Sequence, residues 1–253
     1  TMISHGSTHK SSTVGGSLTL DHLSVHYRHH PALEGITGTF QPGSLTAIVG
    51  PNGGGKSTLL KALMGLVPLS GGVVLFEGCD RRDIAYLAQN AHVDRTFPLS
   101  VFDVVAMGLC HRQGFFSSFN KDACEKIDQA LTHVGLEGYG KRLLHTLSGG
   151  QFQKVLFARL SLQNASLIFL DEPFAAVDAY TIEDLIRLIL EWHAQGRTLL
   201  VVSHDIDLVR THFPQSLLLV NETLAWGATQ NVLTTDLWSQ ATKLFRTKEQ
   251  ARL

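Results

Sequence analysis

Cysteine is scarce in this chain, three in 253 residues, and Cys79, Cys110 and Cys124 stand far apart with no Cys-x-x-Cys pair. That spacing builds neither a disulfide scaffold nor a zinc knuckle, and it fits a reducing compartment. Long apolar runs are missing too: the stretches 199–202 and 217–220 fall far short of the roughly 20 residues that cross a bilayer. No basic segment followed by an apolar one opens the chain, so the sequence reads as soluble or membrane-peripheral and not exported. Charge of one sign is also lacking, since 21 Lys and Arg against 22 Asp and Glu give a formal net charge of -1. Without a basic face, nucleic acid is not an expected partner. Sustained heptads and fixed-period repeats are absent, which excludes a long coiled coil and a solenoid.

What is present describes one large domain. Hydrophobic residues at 44% and charged residues at 17% supply a core and exclude disorder of the whole chain. Residues 1–16, TMISHGSTHKSSTVGG, have almost nothing to bury and read as a mobile tail, leaving 17–253 as a single domain. From Leu18, LTLDHLSVHY and then ITGTF alternate apolar and polar residues, as half-exposed antiparallel strands do. The runs 45–49, 167–170 and 199–202 are nearly continuous, the mark of parallel strands covered on both faces. Between them Ile182, Leu185, Ile186, Ile189 and Leu190 form a helical stripe closed by Gly196. Strand and helix alternate, so the fold class is α/β. The stretch from about 90 to 147 carries helical patterns such as ACEKIDQALTHVGL and reads as a helical insertion into that core.

Gly50-Pro51-Asn52-Gly53-Gly54-Gly55-Lys56-Ser57 matches GxxxxGK[ST] between a buried strand and a helix that begins near Thr58. Successive backbone N–H groups of such a loop turn inward around a phosphate, and the helix N-terminus adds its positive end. Lys56 reaches the β- and γ-phosphates and the Ser57 hydroxyl is a ligand for Mg²⁺. Leu167 to Leu170 run into Asp171 and Glu172 at a strand end, where ligands of open parallel sheets collect. Asp171 is placed to hold Mg²⁺ through water and Glu172 to take a proton from an attacking water; the bland alternative, that both merely cap the next helix, leaves the phosphate loop without its chemistry.

Leu147-Ser148-Gly149-Gly150-Gln151 ahead of an amphipathic helix narrows the field. With it the sequence resembles the ATP-binding cassette (ABC) family, whose signature is LSGGQ, over nearly the whole chain from about residue 18. The resemblance implies a P-loop NTPase core with an N-terminal antiparallel β subdomain and an inserted helical subdomain, and it implies ATP and Mg²⁺ as cofactors. Gln89 in IAYLAQ is similar to the glutamine that contacts Mg²⁺ and links core to helical subdomain. His204 in VVSHD resembles the histidine that contacts the γ-phosphate, and Asp178 in AAVD the aspartate of the loop crossing the dimer interface. Tyr27 is similar to the aromatic that stacks on adenine, although His26, His29 and His30 crowd the same turn. Ala88, where proline often stands, and Lys154, where arginine is commoner, depart from the pattern without removing a phosphate or metal contact.

The family hydrolyses ATP as a homodimer in which each of two nucleotides lies between the phosphate loop of one subunit and the LSGGQ of the other. Ser148, Gly149 and Gly150 at a helix N-terminus give a physical reason, a second anion site apart from Lys56. Three roles compete: the energy-coupling subunit of a membrane importer, a soluble cassette ATPase, and a scaffold without catalysis. One cassette without coiled coils, together with Lys56, Glu172 and His204, favours the first. The segment 97–108, FPLSVFDVVAMG, resembles the permease-facing stretch of cassettes in zinc, manganese and iron importers; haem and siderophore importers share part of it. The expected setting is the cytoplasmic face of the inner membrane, with an integral permease and an extracytoplasmic binding protein as partners. The thirteen histidines invite a metal site at His5 and His9 or at His26 and His30, but neither pair is presented by a helix, so none is assigned.

Overall fold

The computed structural model describes residues 15–27, 30–89, 98–113 and 120–250. Residues 1–14 of the expected tail, with His5 and His9, lie outside the described residues, as do His29 and residues 90–97 of the expected insertion, Phe97 among them.

Alternation at the start of the chain makes two strands, β1 (Ser17–Tyr27) and β2 (His30–Phe40). Leu18, Leu20, Leu23 and Val25 point inward from β1 and are fully or almost fully buried. β1 pairs antiparallel with β2 and with β4 (Gly71–Glu77), giving a three-stranded sheet ordered β2-β1-β4. The continuous apolar runs become β3 (Leu45–Val49), β6 (Leu167–Asp171) and β7 (Thr198–Val202), buried at every residue. They join β5 (Ile84–Leu87), β8 (Gln215–Leu219) and β9 (Thr223–Ala228) in a second sheet ordered β5-β6-β7-β3-β8-β9. All its pairs are parallel except β8 with β9.

Because side chains alternate along a strand, this sheet feeds two cores. Ile48, Phe169, Leu200 and Leu217 pack toward the antiparallel sheet and α1 (Lys56–Leu63). Ala47, Ile168, Val201 and Leu218 pack toward the helical side. There α2 (Val101–Gln113) and α3 (Lys121–His133) lie against α4 (Gly149–Leu162), and α5 (Ala179–Ala194) follows β6.

Gly15 and Gly16, expected in the tail, are buried and bonded to the domain, Gly15 N–H donating to Gly196 O at 2.7 Å and Thr198 Oγ1 donating to Gly16 O at 2.9 Å. Two further expectations change. On α5, Leu185, Ile186 and Ile189 are buried with Leu188 and Trp192, whereas Leu190 is 37% exposed; the inward stripe follows the 3.6-residue turn through 185, 188, 189 and 192 and leaves 190 outside. In the segment read as a permease-facing surface, Val101, Val104 and Val105 are fully buried. The helices of the insertion cover one another, so most of its apolar residues are core; Met107, 41% exposed, is an outward one.

Candidate functional site

Five loops meet at the carboxyl edge of the parallel strands, where the ends of a doubly wound sheet collect ligands. β3 leads into the phosphate loop, β5 toward Gln89, β6 into Asp171 and Glu172, β7 toward His204, and β8 into a turn at Asn221. The phosphate loop is held by backbone conformation. Gly55, the residue before α1, has φ 94, and a Cβ there would come within 2.6 Å of the Ala32 carbonyl oxygen; Gly50 (φ 146) would meet Leu219 O at 2.1 Å. No side chain fits at either position. The helix begins at Lys56, two residues before Thr58, because Gly55 can turn into it directly.

Lys56 is 6% exposed, and its ammonium donates to the carbonyls of Gly50 and Pro51, both at 3.0 Å. Burial lowers its pKa, with Glu172 and Asp171 acting in the opposite sense. A polyanion in the loop adds to that opposing side. Asp171 is 2% exposed, and burial raises its pKa against the Ser57 hydrogen bond. Ser57 Oγ donates to Asp171 Oδ1 at 2.9 Å. A hydroxyl and a carboxylate oxygen so close to the phosphate loop are the hard-oxygen donors that suit Mg²⁺.

Glu172 has φ 51, a left-handed conformation that costs a side-chain-bearing residue energy and gathers at functional sites. Its N–H donates to Val202 O at 3.1 Å, pinning that backbone to β7. Gln89 Nε2 donates to Glu172 Oε2 at 2.9 Å, and His204 Nδ1 lies 3.7 Å from the same oxygen. Gln89, Glu172 and His204 are thus brought together beside the Ser57–Asp171 pair.

A cavity of about 450 Å³ opens over these groups. Lys56, Ser57, Gln89 and Glu172 line it together with Tyr27 and His30, whereas Asp171 and His204 are not part of the lining. Tyr27 is 46% exposed and pairs in register with His30 across the β1–β2 hairpin, so both rings stand at the same mouth. An anionic tail at Lys56 and a flat ring at Tyr27 match the two ends of a nucleotide.

Ser148, Gly149, Gly150, Gln151 and Asp178 are absent from that lining. They form a second cluster: Ser148 and Gln151 close a reciprocal capping box at the start of α4. Asp178 caps α5 through Thr181 N (3.0 Å) and Thr181 Oγ1 (2.8 Å), bonds that lower its pKa. A Cβ on Gly150 would stand 3.1 Å from Asp178 Oδ2. The two halves expected of an active site are therefore separate surfaces of one chain.

Sequence reading missed Asn221 and Tyr86. Asn221, 1% exposed at φ 59, donates from Nδ2 to Ala32 O (2.9 Å) and Gly53 O (3.2 Å), and its N–H donates to Gly54 O (2.8 Å). It bolts the phosphate loop to β2. An Asn between two strand-like runs signals a left-handed turn, but not its neighbours. Tyr86, inside IAYL, reaches Asp171 Oδ2 at 3.4 Å.

Comparisons with known proteins agree with this geometry. The chain is 43% identical over 219 residues to the manganese transport system ATP-binding protein MntB of Bacillus subtilis (strain 168), covering 85% of this chain and 88% of that protein. It is 40% identical over 229 residues to the zinc transport system ATP-binding protein TroB of Treponema pallidum (strain Nichols), covering 89% and 86%. The structure superposes with a TM-score of 0.80 on an ABC transporter solved in an inward-facing conformation, at 27% identity over 90% of each chain. The family model of ABC transporters matches residues 33–175, and with the strand order, the phosphate loop and these relatives in agreement, the chain belongs to the ABC transporter family.

Proposed function

We propose that this chain is the ATP-hydrolysing subunit of an importer that takes up a divalent metal ion, of the manganese, zinc or iron kind, through a separate integral permease. The observation that carries the reading is the convergence of Lys56, Ser57–Asp171 and Gln89–Glu172 at one cavity in a chain 43% identical to a manganese transport ATP-binding protein.

Tyr27 stacks on the base, the loop 50–57 wraps the phosphates with its N–H groups, and Lys56 turns from its two carbonyls to the β- and γ-oxygens. Ser57 and Asp171, directly and through water, are the residues that would hold Mg²⁺, which supplies charge neutralisation between the β- and γ-phosphates. Glu172 accepts a proton from the attacking water as its oxygen bonds to the γ-phosphorus and the bond to the β–γ bridging oxygen breaks. Gln89, once released from Glu172 Oε2, would be a further residue holding Mg²⁺, and His204, just past the end of β7, contacts the γ-phosphate. Two copies form a homodimer around two ATP, the Ser148–Gln151 helix start of each facing the phosphate loop of the other and Asp178 lying at the seam. The pair docks on the cytoplasmic face of the inner membrane, and an extracytoplasmic binding protein delivers the metal. No helix among the described residues is long and apolar enough to cross a membrane, in keeping with a separate permease.

Deleting the gene and measuring uptake of radioactive manganese, zinc and iron tests the cargo. Loss of one, restored by the wild-type chain and not by Lys56→Ala, is expected. Unchanged uptake of all three refutes metal import and leaves the ATPase reading standing.

A further inference from the structure

We propose that the last described helix, Thr235–Gln250, clamps the phosphate loop, with Phe245 and Lys248 as positioning residues that hold the loop in its nucleotide-binding shape before ATP arrives. The inference rests on the reading of residues 50–57 as the phosphate holder and extends it to what keeps that holder in shape.

The loop has little with which to anchor itself. Gly53, Gly54 and Gly55 stand in succession, and residues without side chains have nothing of their own to pack and the most backbone freedom to lose. Anchors must come from outside the loop. Asn221 supplies one, through its bonds to the Gly53 and Gly54 carbonyls. The helix supplies a second. A Cβ built on Gly53 would come within 3.2 Å of Phe245 Cζ and 3.6 Å of Cε2, so the edge of the ring closes off the space that a side chain at position 53 would enter. Phe245 is half-buried and packs against the core on the helical side of the sheet, which ties this contact to the body of the domain.

Lys248, one turn further and on the same face of the helix, fastens it to both sides of Asn221. Its ammonium is 2.9 Å from Oε1 of Glu222, the next residue after Asn221, and 3.6 Å from Oε2 of Glu34 on β2. The Glu34 N–H in turn donates to Asn221 O at 2.7 Å. The Lys248 side chain is only 23% exposed and is shared by two carboxylates, an arrangement that holds better than an isolated surface pair. Gly53 lines the cavity, whereas Phe245 and Lys248 do not, so both act on the nucleotide through the loop. A loop already held in its bound shape costs less to order when the ligand arrives. Glu172 and Gln89 follow β6 and β5, outside this network, so the clamp bears on affinity and not on turnover.

The test uses the full chain. Dissociation constants of ATP and ADP are measured in the Glu172→Gln background, and KM and kcat with Glu172 in place, for Phe245→Ala, Phe245→Leu, Lys248→Met and Lys248→Arg. Phe245→Ala is expected to weaken ATP and ADP alike by roughly 2- to 30-fold, the reach of a position that acts on a site through its neighbours. Both nucleotides carry the α- and β-phosphates that such a loop cradles, so the two losses should match. KM should rise with kcat unchanged, and Phe245→Leu, which restores an apolar group beside Gly53, should recover most of the loss. Lys248→Met should weaken both nucleotides by a smaller factor, with recovery in Lys248→Arg. Affinities unaltered in Phe245→Ala and Lys248→Met overturn the proposal even if the Tm of the free protein falls, and so does a drop in kcat at constant KM. Where Phe245→Ala does not fold, Lys248→Met decides. Lys56→Ala separates the two levels: if it too leaves ATP and ADP binding unaltered, the loop is not the phosphate holder and both readings fall, but if it weakens them and the helix variants do not, only the clamp falls.

Discussion

Replacing Asn221 tests whether the phosphate loop owes its shape to the β8–β9 turn. Asn221→Ala removes two hydrogen bonds, to Ala32 O and Gly53 O, each contributing about 1 kcal/mol. It also leaves alanine at φ 59, which adds about 1 kcal/mol over a residue at ease in that region. The sum is about 3 kcal/mol, or a fall in Tm of roughly 6–12 °C for a chain of this size. Asn221→Gly loses the same two bonds without the conformational cost, so it should recover about 1 kcal/mol relative to alanine. Asn221→Asp turns a donor into an acceptor facing two carbonyls and should be worse than glycine. Urea unfolding gives the stabilities and titration with ATP gives the affinities, which are expected to weaken in the order glycine, then alanine or aspartate. Alanine within about 0.5 kcal/mol of wild type, the range of an ordinary surface change, would refute the bracing role, and glycine less stable than alanine would refute the backbone argument.

Glu172→Gln keeps the shape that Gln89 grips, so ATP binding should survive while turnover falls about 10²- to 10⁴-fold, as removal of a general base does; undiminished steady-state hydrolysis removes Glu172 from that role. Tyr27→Ala should weaken ATP by about 1–3 kcal/mol, the worth of one base on an aromatic face, and Tyr27→Phe should not; equal affinities of all three proteins mean another group holds the base. The Lys154–Asp184 ion pair joins α4 to α5 and lowers the Asp184 pKa, chiefly through the Lys154 hydrogen bond. A depressed carboxylate stabilises the fold above its unfolded pKa of about 3.9, and that contribution disappears as pH falls through the lower folded value. Lys154→Met should therefore cost stability at pH 7, by no more than about 1 kcal/mol because Asp184 is 41% exposed, and unfolding curves of variant and wild type should converge in acid. Sedimentation of Glu172→Gln should show monomer without nucleotide and dimer with MgATP; monomer in both conditions sinks the shared-site arrangement.

How much of this was legible in the sequence depends on whether a feature is local. The phosphate loop is, because its glycines answer to backbone angles and its Lys56 and Ser57 to a fixed offset from them. β3, β6 and β7 are, because burial on both faces removes polar residues from the run itself. The apolar character of the segment around α2 is equally visible, but whether Val104 faces a permease or α4 depends on how the helices pack, and a one-dimensional pattern is the same in both cases. Leu190 fails for a related reason: its spacing from Ile182 and Ile186 is helical, yet the inward direction is fixed by Trp192 and Leu188 beside it.

The residues that escaped share one property, that their partners are distant in the chain and near only through strand order. Asn221 meets Gly53 because β8 lies next to β3, and Tyr86 meets Asp171 because β5 lies next to β6 with Tyr86 opposite Phe169. A shift of that pairing by one residue would turn Tyr86 to the opposite face and end the contact. The motif residues contact the ligand and so carry recognisable chemistry in any context, whereas these two act on the motif residues and acquire their roles only once the sheet is assembled. Sites of this second kind are found by asking, for each buried carboxylate or glycine loop, which neighbouring strand supplies its hydrogen-bond donors.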